Sequence, residues 1–154
     1  MKRRFIYWSM ILLAVLFVPV LSSCGDDEDE LSGSSLESYI IGTWRSYKAT
    51  VTAYGETETI SVSKTGDNSA MYMECEVRKG GSAVYKFWQT DANGMTHWTE
   101  EPLQYTVKGD IVTMTDSNGE AADLLFDQSS RDMIMQMNLF QDGTSYAVKL
   151  FFKK

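Results

Sequence analysis

Pairs of residues that tolerate a positive φ angle recur along this chain and constrain its fold more than any other feature. Glycine stands next to asparagine, aspartate or a second glycine at 66–68, 80–81, 93–94, 109–110, 118–119 and 142–143. Pairs of this kind form the tight turns of β-hairpins. Between them apolar and polar residues alternate, most clearly at 71–78 and 133–139, which is the pattern of half-buried strands. The sequence therefore predicts short strands, each antiparallel to the next.

About nine or ten such strands can be delimited from the alternation and the turns. They cover 43–53, 57–64, 70–78, 82–90, 95–99, 103–108, 111–116, 121–127, 132–140 and 144–152. A meander of this length tends to close, because closure removes the edge strands that would pair with other molecules. We therefore expect an all-β domain built as a single antiparallel up-and-down β-barrel of about 8–10 strands. A sandwich is the alternative, but it requires longer crossover connections than these loops offer.

The hairpin at Gly109-Asp110 allows a prediction of register. A two-residue loop there pairs Val107 with Val112 and Tyr105 with Met114, so large apolar side chains meet on one face. Moving the loop back by one residue would oppose Val107 to Asp110 and break this match. We therefore expect the first register.

The start of the domain carries two further signals. A short amphipathic helix is predicted over 36–41, with Ser34 or Ser35 as its cap and Gly42 as its stop. After Trp44 the apolar residues change to the opposite alternation, beginning at Tyr47. We therefore expect a β-bulge near residues 45–46.

The N-terminal residues have the three-part build of a bacterial secretory signal. Residues 2–4 are cationic, residues 5–21 are largely apolar, and the segment ends at Leu21-Ser22-Ser23-Cys24. This ending resembles the lipobox of bacterial lipoproteins, which implies a signal peptide over 1–23 and lipid attachment at Cys24. A transmembrane helix is the alternative, but 17 residues interrupted by Ser9 and Pro19 fall short of the about 20 apolar residues that a bilayer requires.

Residues 24–35 form an acidic and serine-rich stretch that buries nothing, so we expect a flexible tether there. Its acidic residues at 26–30 resemble the surface-export signal of lipoproteins in one phylum of Gram-negative bacteria. That resemblance implies a protein anchored by lipid in the outer membrane and presented at the cell surface. The alternative is a simple spacer between the membrane and the domain.

Charge limits the partners of this protein. The full chain has a formal charge of −7, and removal of residues 1–23 takes away cations and no anion. An acidic chain without a basic cluster repels phosphate backbones, so nucleic acid is excluded as an expected partner. Residues 36–154 are enough for one domain with a core and too few for two.

The start of the first strand resembles that of a known family. Ile41-Gly42-Thr43-Trp44 is similar to the Gly-x-Trp opening of lipocalins, and the stretches 105–110 and 146–152 resemble the central hairpin and closing strand of lipocalin-like domains in Gram-negative lipoproteins. The resemblance implies a lipocalin-like barrel over 36–154 in which Trp44 plugs one end behind a short helix. The arginine that packs on this tryptophan in many lipocalins has no assignable counterpart in this sequence, and Arg78 and Arg131 are the candidates.

No set of residues with catalytic spacing follows the tether, so we expect no enzyme, no cofactor and no metal site. His97 is the single histidine and has no second catalytic group beside it in the sequence. Cys75 shares the apolar alternation of its strand and is predicted to be a buried, inert residue. The acidic stretches 91–94 and 116–120 resemble the start of a calcium loop but lack its later glutamate, so hairpin turns are favoured.

Aromatic side chains remain as candidate ligand-binding groups, because they offer wide, stiff surfaces for an apolar molecule or a sugar. The set consists of Trp44, Tyr85, Phe87, Trp88 and Tyr105. Two hypotheses follow. In the first, the barrel of an envelope lipoprotein binds a small apolar or amphipathic ligand. In the second, the barrel is solid and acts as a surface module for a protein or glycan partner.

Overall fold

The computed structural model describes residues 30–154. The signal segment 1–23, Cys24 and most of the tether lie outside the described residues. No helix in 30–154 is long and apolar enough to cross a membrane. One short helix and nine strands account for most of this part of the chain: α1 (Ser34–Ile40), β1 (Gly42–Ala53), β2 (Glu56–Ser61), β3 (Met73–Arg78), β4 (Ser82–Thr90), β5 (Thr96–Lys108), β6 (Ile111–Thr115), β7 (Ala121–Phe126), β8 (Met133–Gln141) and β9 (Thr144–Lys153).

The strands form one antiparallel sheet that closes into a barrel, as the sequence predicts. Each strand from β3 to β9 pairs with the next, and β9 returns to pair with β1. The closed ring therefore contains eight strands, namely β1 and β3 to β9. Strand β2 lies outside this ring and pairs with the second half of β1.

Strand β1 changes neighbours along one of its edges, and a buried serine connects the two. Its first residues pair with β3 and its later residues with β2. At the point of change, the Ser46 hydroxyl donates a hydrogen bond to the Met71 carbonyl (3.3 Å) and accepts one from the Met73 N–H (2.8 Å). The Ser46 hydroxyl thus takes the place of backbone hydrogen bonds where the strand pairing is interrupted. The Met71 carbonyl and the Met73 N–H therefore both have a partner.

The predicted hairpin register and bulge are both present. Val107 pairs with Val112 and Tyr105 with Met114 across the Gly109-Asp110 turn. The pairing of β1 with β9 shifts between Ser46 and Lys48, so the bulge lies slightly later than the sequence suggests.

Two details of the predicted elements are wrong. The strands expected at 95–99 and 103–108 are one continuous strand, β5, in which Pro102 sits opposite Val84. The helix begins at Ser34, and its N-cap is Gly33, which makes no side-chain cap. Ser35 is inside the helix, and its hydroxyl instead bonds the backbone of Ser32. The glycine takes the cap position with φ 54°, a conformation that glycine adopts without steric cost.

Helix α1 closes one end of the barrel, which is called the plugged end below. Leu36 and Ile40 on α1 are fully buried, as is Trp44 at the start of β1. The Trp44 indole Nε1–H donates to the Ile40 carbonyl over 2.7 Å, and the Tyr39 ring meets Trp44 edge to face with centroids 6.2 Å apart. Trp44 therefore plugs this end behind the helix, as the resemblance to lipocalins implies.

One of the two candidate arginines lies beside the aromatic plug. Arg131, in the turn between β7 and β8, lies 5.9 Å from the ring centre of Tyr39, whose ring in turn contacts Trp44. The other candidate, Arg78, pairs with Glu76 on the outer surface instead.

Candidate functional site

The candidate aromatic residues occupy three different places. Trp44 and Tyr105 lie at the plugged end, where Trp44 caps the core and the Tyr105 hydroxyl donates to the Arg78 carbonyl (3.0 Å). Tyr85 and Phe87 lie on the inner face of β4, and Trp88 lies on its outer face. The structure therefore brings Tyr85 and Phe87 together and separates them from the other three.

The plugged half of the interior is filled with side chains. Large residues from five strands and α1 lie there with no exposed surface or almost none. They include Leu36, Ile40, Trp44, Val112, Leu124, Phe126, Met133, Leu150 and Phe152. Close packing of this kind stabilises the fold and leaves no room for a ligand at this end.

The distal end, opposite the plug, is formed by the turns at 54–55, 91–95, 116–120 and 142–143. Apolar side chains on this half of the inner face pack against the core but stay partly exposed, among them Met73, Phe87 and Met137. A small molecule can contact the inner face only where its side chains are not fully covered by other residues. This half is therefore the candidate binding region of the interior.

A row of three polar side chains crosses the inner face in the same region. Cys75 on β3 is directly opposite Tyr85 on β4, and Tyr85 is directly opposite Glu101 on β5. Cross-strand neighbours of this kind lie about 5 Å apart at their Cβ atoms. The side chains of Cys75, Tyr85 and Glu101 therefore lie next to one another across three strands.

The hydroxyl of Tyr85, in the middle of this row, lacks a partner within the described part of the chain. The Tyr85 side chain is 5% exposed, and its hydroxyl is shielded from solvent and has no hydrogen-bond partner among residues 30–154. Burial, and then the proximity of Cys75 and Glu101, raises the pKa of Tyr85 well above 10. The phenol is therefore neutral and retains a free O–H donor, and a buried donor of this kind is costly unless something accepts its bond.

Glu101 is a functional candidate that the sequence reasoning missed. Burial, and then the nearby carboxylates of Asp116 and Glu120, raises its pKa above the ordinary value of 4.5. The alternation of β5 could have identified this residue, because Glu101 lies in the same register as the buried Leu103 and Tyr105. An acid in that register is placed on the inner face of the barrel.

The predicted inert character of Cys75 agrees with its surroundings. The residue is fully buried and forms no disulfide. Burial, and then the charge of Glu76, raises the pKa of the Cys75 thiol to about 12. Because the thiolate is the nucleophilic form, Cys75 contributes packing and not reactivity.

The predicted hairpin turns are confirmed at the two acidic stretches. The Asp91 carboxylate accepts hydrogen bonds from the backbone N–H groups of Asn93 (2.8 Å) and Met95 (3.0 Å). The Asp116 carboxylate is bonded in the same way by the N–H groups of Asn118 and Glu120, both at 2.8 Å. These carboxylates close turns between strands. His97 lies exposed opposite Gln89.

A second concave region lies on the outer face of the barrel. It is a cleft of about 430 Å³ between the β4–β5 ribbon and the segment that joins β2 to β3. Six residues line it: Lys64, Ser69, Ala70, Trp88, Thr90 and Thr96. It is called the Trp88 cleft below. Sequence reasoning singled out Trp88 but not its neighbours across the cleft, because they belong to a loop.

No protein-family model matches the chain, and no curated protein matches it. The likeness to lipocalins is therefore judged from the architecture of this chain alone. An antiparallel barrel with an eight-strand ring, an N-terminal helix and a buried tryptophan behind it is compatible with a lipocalin-like fold.

Proposed function

We propose that this protein is a non-enzymatic, lipid-anchored protein of the bacterial cell envelope whose barrel binds a small amphipathic molecule. The binding region is the distal half of the inner face. The single observation that carries the proposal is the Tyr85 hydroxyl, which is buried without a partner in that region. A ligand oxygen or nitrogen that accepts its hydrogen bond would remove the penalty of the unpaired donor.

The neighbours of Tyr85 define the chemistry of the ligand. Phe87, Met73 and Met137 provide an apolar surface around it, and methionine side chains adapt to irregular shapes. Glu101 adds a carboxyl group beside the phenol. An apolar body with one polar end fits this combination better than a fully apolar molecule, which would leave both polar groups unpaired.

Membrane anchoring forms the other part of the proposal and rests on the sequence. Cys24 is proposed to carry the lipid after cleavage of residues 1–23, and the acidic tether is proposed to direct the protein to the outer face of the outer membrane. Protease added to intact cells should then remove the domain. Full protection of the domain in intact cells would place it on the periplasmic side.

A pair of matched tyrosine variants tests the binding proposal. Tyr85 and Tyr105 are both 5% exposed, but only the Tyr105 hydroxyl is hydrogen-bonded. We expect Tyr85→Phe to keep or raise the stability of the protein while lowering its affinity for an amphipathic ligand about three- to tenfold. Tyr105→Phe should lower stability by about 1 kcal/mol and leave the affinity unchanged.

Calorimetric titration with a fatty acid, a lysophospholipid and a bile acid supplies the affinities, and urea unfolding supplies the stabilities. If none of these amphiphiles binds the wild-type protein, the interior is not the binding site. The solid-barrel hypothesis, in which the outer surface binds a partner, then takes precedence.

A further inference from the structure

The Trp88 cleft has one rigid aromatic wall. Trp88 and Trp98 face each other across the β4–β5 ladder, and their rings meet edge to face with centroids 5.0 Å apart. Tyr72 stacks on Trp98 with centroids 6.0 Å apart and planes at 28°. Because Trp88 packs against Trp98, and Trp98 is itself stacked on Tyr72, the Trp88 indole is held as a fixed surface beside the cleft.

The other wall is a short 3₁₀ segment that is tied to the sheet. It covers Ser69–Met71, and the Asn68 side-chain amide just before it donates to the Ser61 carbonyl over 3.0 Å. The Tyr72 hydroxyl just after it donates to Glu74 over 2.8 Å. The cleft is therefore framed on both sides by anchored elements, and its shape is largely formed before any ligand arrives.

Polar groups of the lining surround the aromatic wall. The hydroxyls of Thr90 and Thr96 are 3.0 Å apart, and Ser69 faces them from the opposite wall. The Lys64 ammonium lies 4.2 Å from the ring centre of Trp98 and 3.9 Å from Glu74 Oε1. The lining thus holds three hydroxyls, one cation and no carboxylate, although the chain as a whole is acidic.

The indole of Trp88 also has an unused donor. Its Nε1–H is shielded from solvent and has no hydrogen-bond partner among residues 30–154. Tryptophan N–H groups usually find an acceptor when they are buried. Trp88 thus places an aromatic ring in the lining of the cleft and retains an unsatisfied indole donor.

We propose that the Trp88 cleft is a saccharide-binding site. A pyranose ring has an apolar face of C–H groups and a rim of hydroxyls, so it matches an aromatic wall that is bordered by hydroxyls and an ammonium group. A purely apolar ligand would take the lining hydroxyls and the Lys64 ammonium out of water without offering them hydrogen bonds. A volume of about 430 Å³ is near the lower end of the about 300–1,000 Å³ range of small-molecule sites, which suits a short stretch of a glycan.

This site is separate from the inner face of the barrel. Trp88 alternates with Tyr85 and Phe87 along β4, so the cleft and the proposed amphiphile site lie on opposite sides of one strand. The saccharide proposal therefore does not depend on ligand binding in the interior.

The test uses the full chain reconstituted in nanodiscs and a panel of defined probes. The probes are malto-, cello-, xylo- and manno-oligosaccharides and a uronic-acid oligosaccharide. Their binding is measured by tryptophan fluorescence and by calorimetry. We expect at least one probe to bind. Trp88→Ala should weaken that binding about tenfold or more, and Trp88→Phe should weaken it less, because it keeps a ring and loses only the N–H donor.

Phe140→Ala is the matched control, because Phe140 is an exposed aromatic residue on β8 and is predicted to leave saccharide binding unchanged. The fatty-acid titration of Trp88→Ala separates the two sites: unchanged amphiphile binding is expected. Absence of binding to every saccharide, or equal binding by Trp88→Ala and the wild type, would overturn the proposal and leave the interior site untouched.

Discussion

Replacement of Trp44 by alanine is expected to lower the free energy of unfolding by about 3–5 kcal/mol. The side chain is fully buried beneath α1, so its removal opens a large cavity at the plugged end. The variant also loses the hydrogen bond from the indole Nε1–H to the Ile40 carbonyl, 2.7 Å long, and the edge-to-face contact with Tyr39. Urea unfolding monitored by far-ultraviolet circular dichroism measures the change.

Two variants bracket this result. Trp44→Phe keeps most of the buried area and loses the hydrogen bond, so it should be destabilised less than Trp44→Ala. Phe140→Ala removes an aromatic side chain that is 70% exposed and should change stability by less than about 0.5 kcal/mol. If the free energy of unfolding of Trp44→Ala falls by less than about 1 kcal/mol, the result contradicts the role of Trp44 as the plug.

Replacement of Cys24 by serine is expected to abolish lipid attachment completely. The proposed lipobox would place the lipid on the Cys24 thiol, and serine cannot form the same thioether. Growth with labelled palmitate should label the wild-type protein and give no label in Cys24→Ser.

Cys75→Ser is the matched control for this experiment. Cys75 is the only other cysteine of the chain and is buried in the barrel, so its substitution should weaken packing without affecting the label. Incorporation of label into Cys24→Ser would show that the lipobox assignment is wrong.

The sequence was sufficient to predict the architecture because hairpin folds are encoded locally. Turn residues such as Gly109-Asp110 fix where strands end, and the alternation on each side fixes which face is buried. The barrel, the hairpin register and the bulge after Trp44 followed from these local rules.

Where the sequence reasoning failed, a nonlocal interaction decided the outcome. The expected gap between the strands 95–99 and 103–108 contains Pro102, a residue that cannot donate to a strand ladder. In the structure it occupies a place opposite Val84 in the β4–β5 ladder, and the strand continues through it. The N-cap of α1 is Gly33, with a φ of 54°. The sequence favoured Ser34 or Ser35 at this position, because serine is a preferred cap residue.

The candidate sites were harder to predict than the fold. Tyr85, Phe87 and Trp88 were recognised as aromatic residues of one strand, and alternation placed Trp88 on the opposite face. What could not be predicted is that the Tyr85 hydroxyl and the Trp88 indole N–H both lack partners, because pairing depends on side chains from distant segments. The cleft itself requires the approach of the 3₁₀ segment to the β4–β5 ribbon.

Native mass spectrometry of the wild-type protein, released gently from its own membrane, tests most directly whether the barrel is a carrier of a small molecule. The predicted result is a population heavier than the acylated polypeptide by the mass of one small amphipathic molecule, and a smaller share of that heavier population in Tyr85→Phe. Wild-type protein that always has the mass of the acylated polypeptide alone would contradict the account.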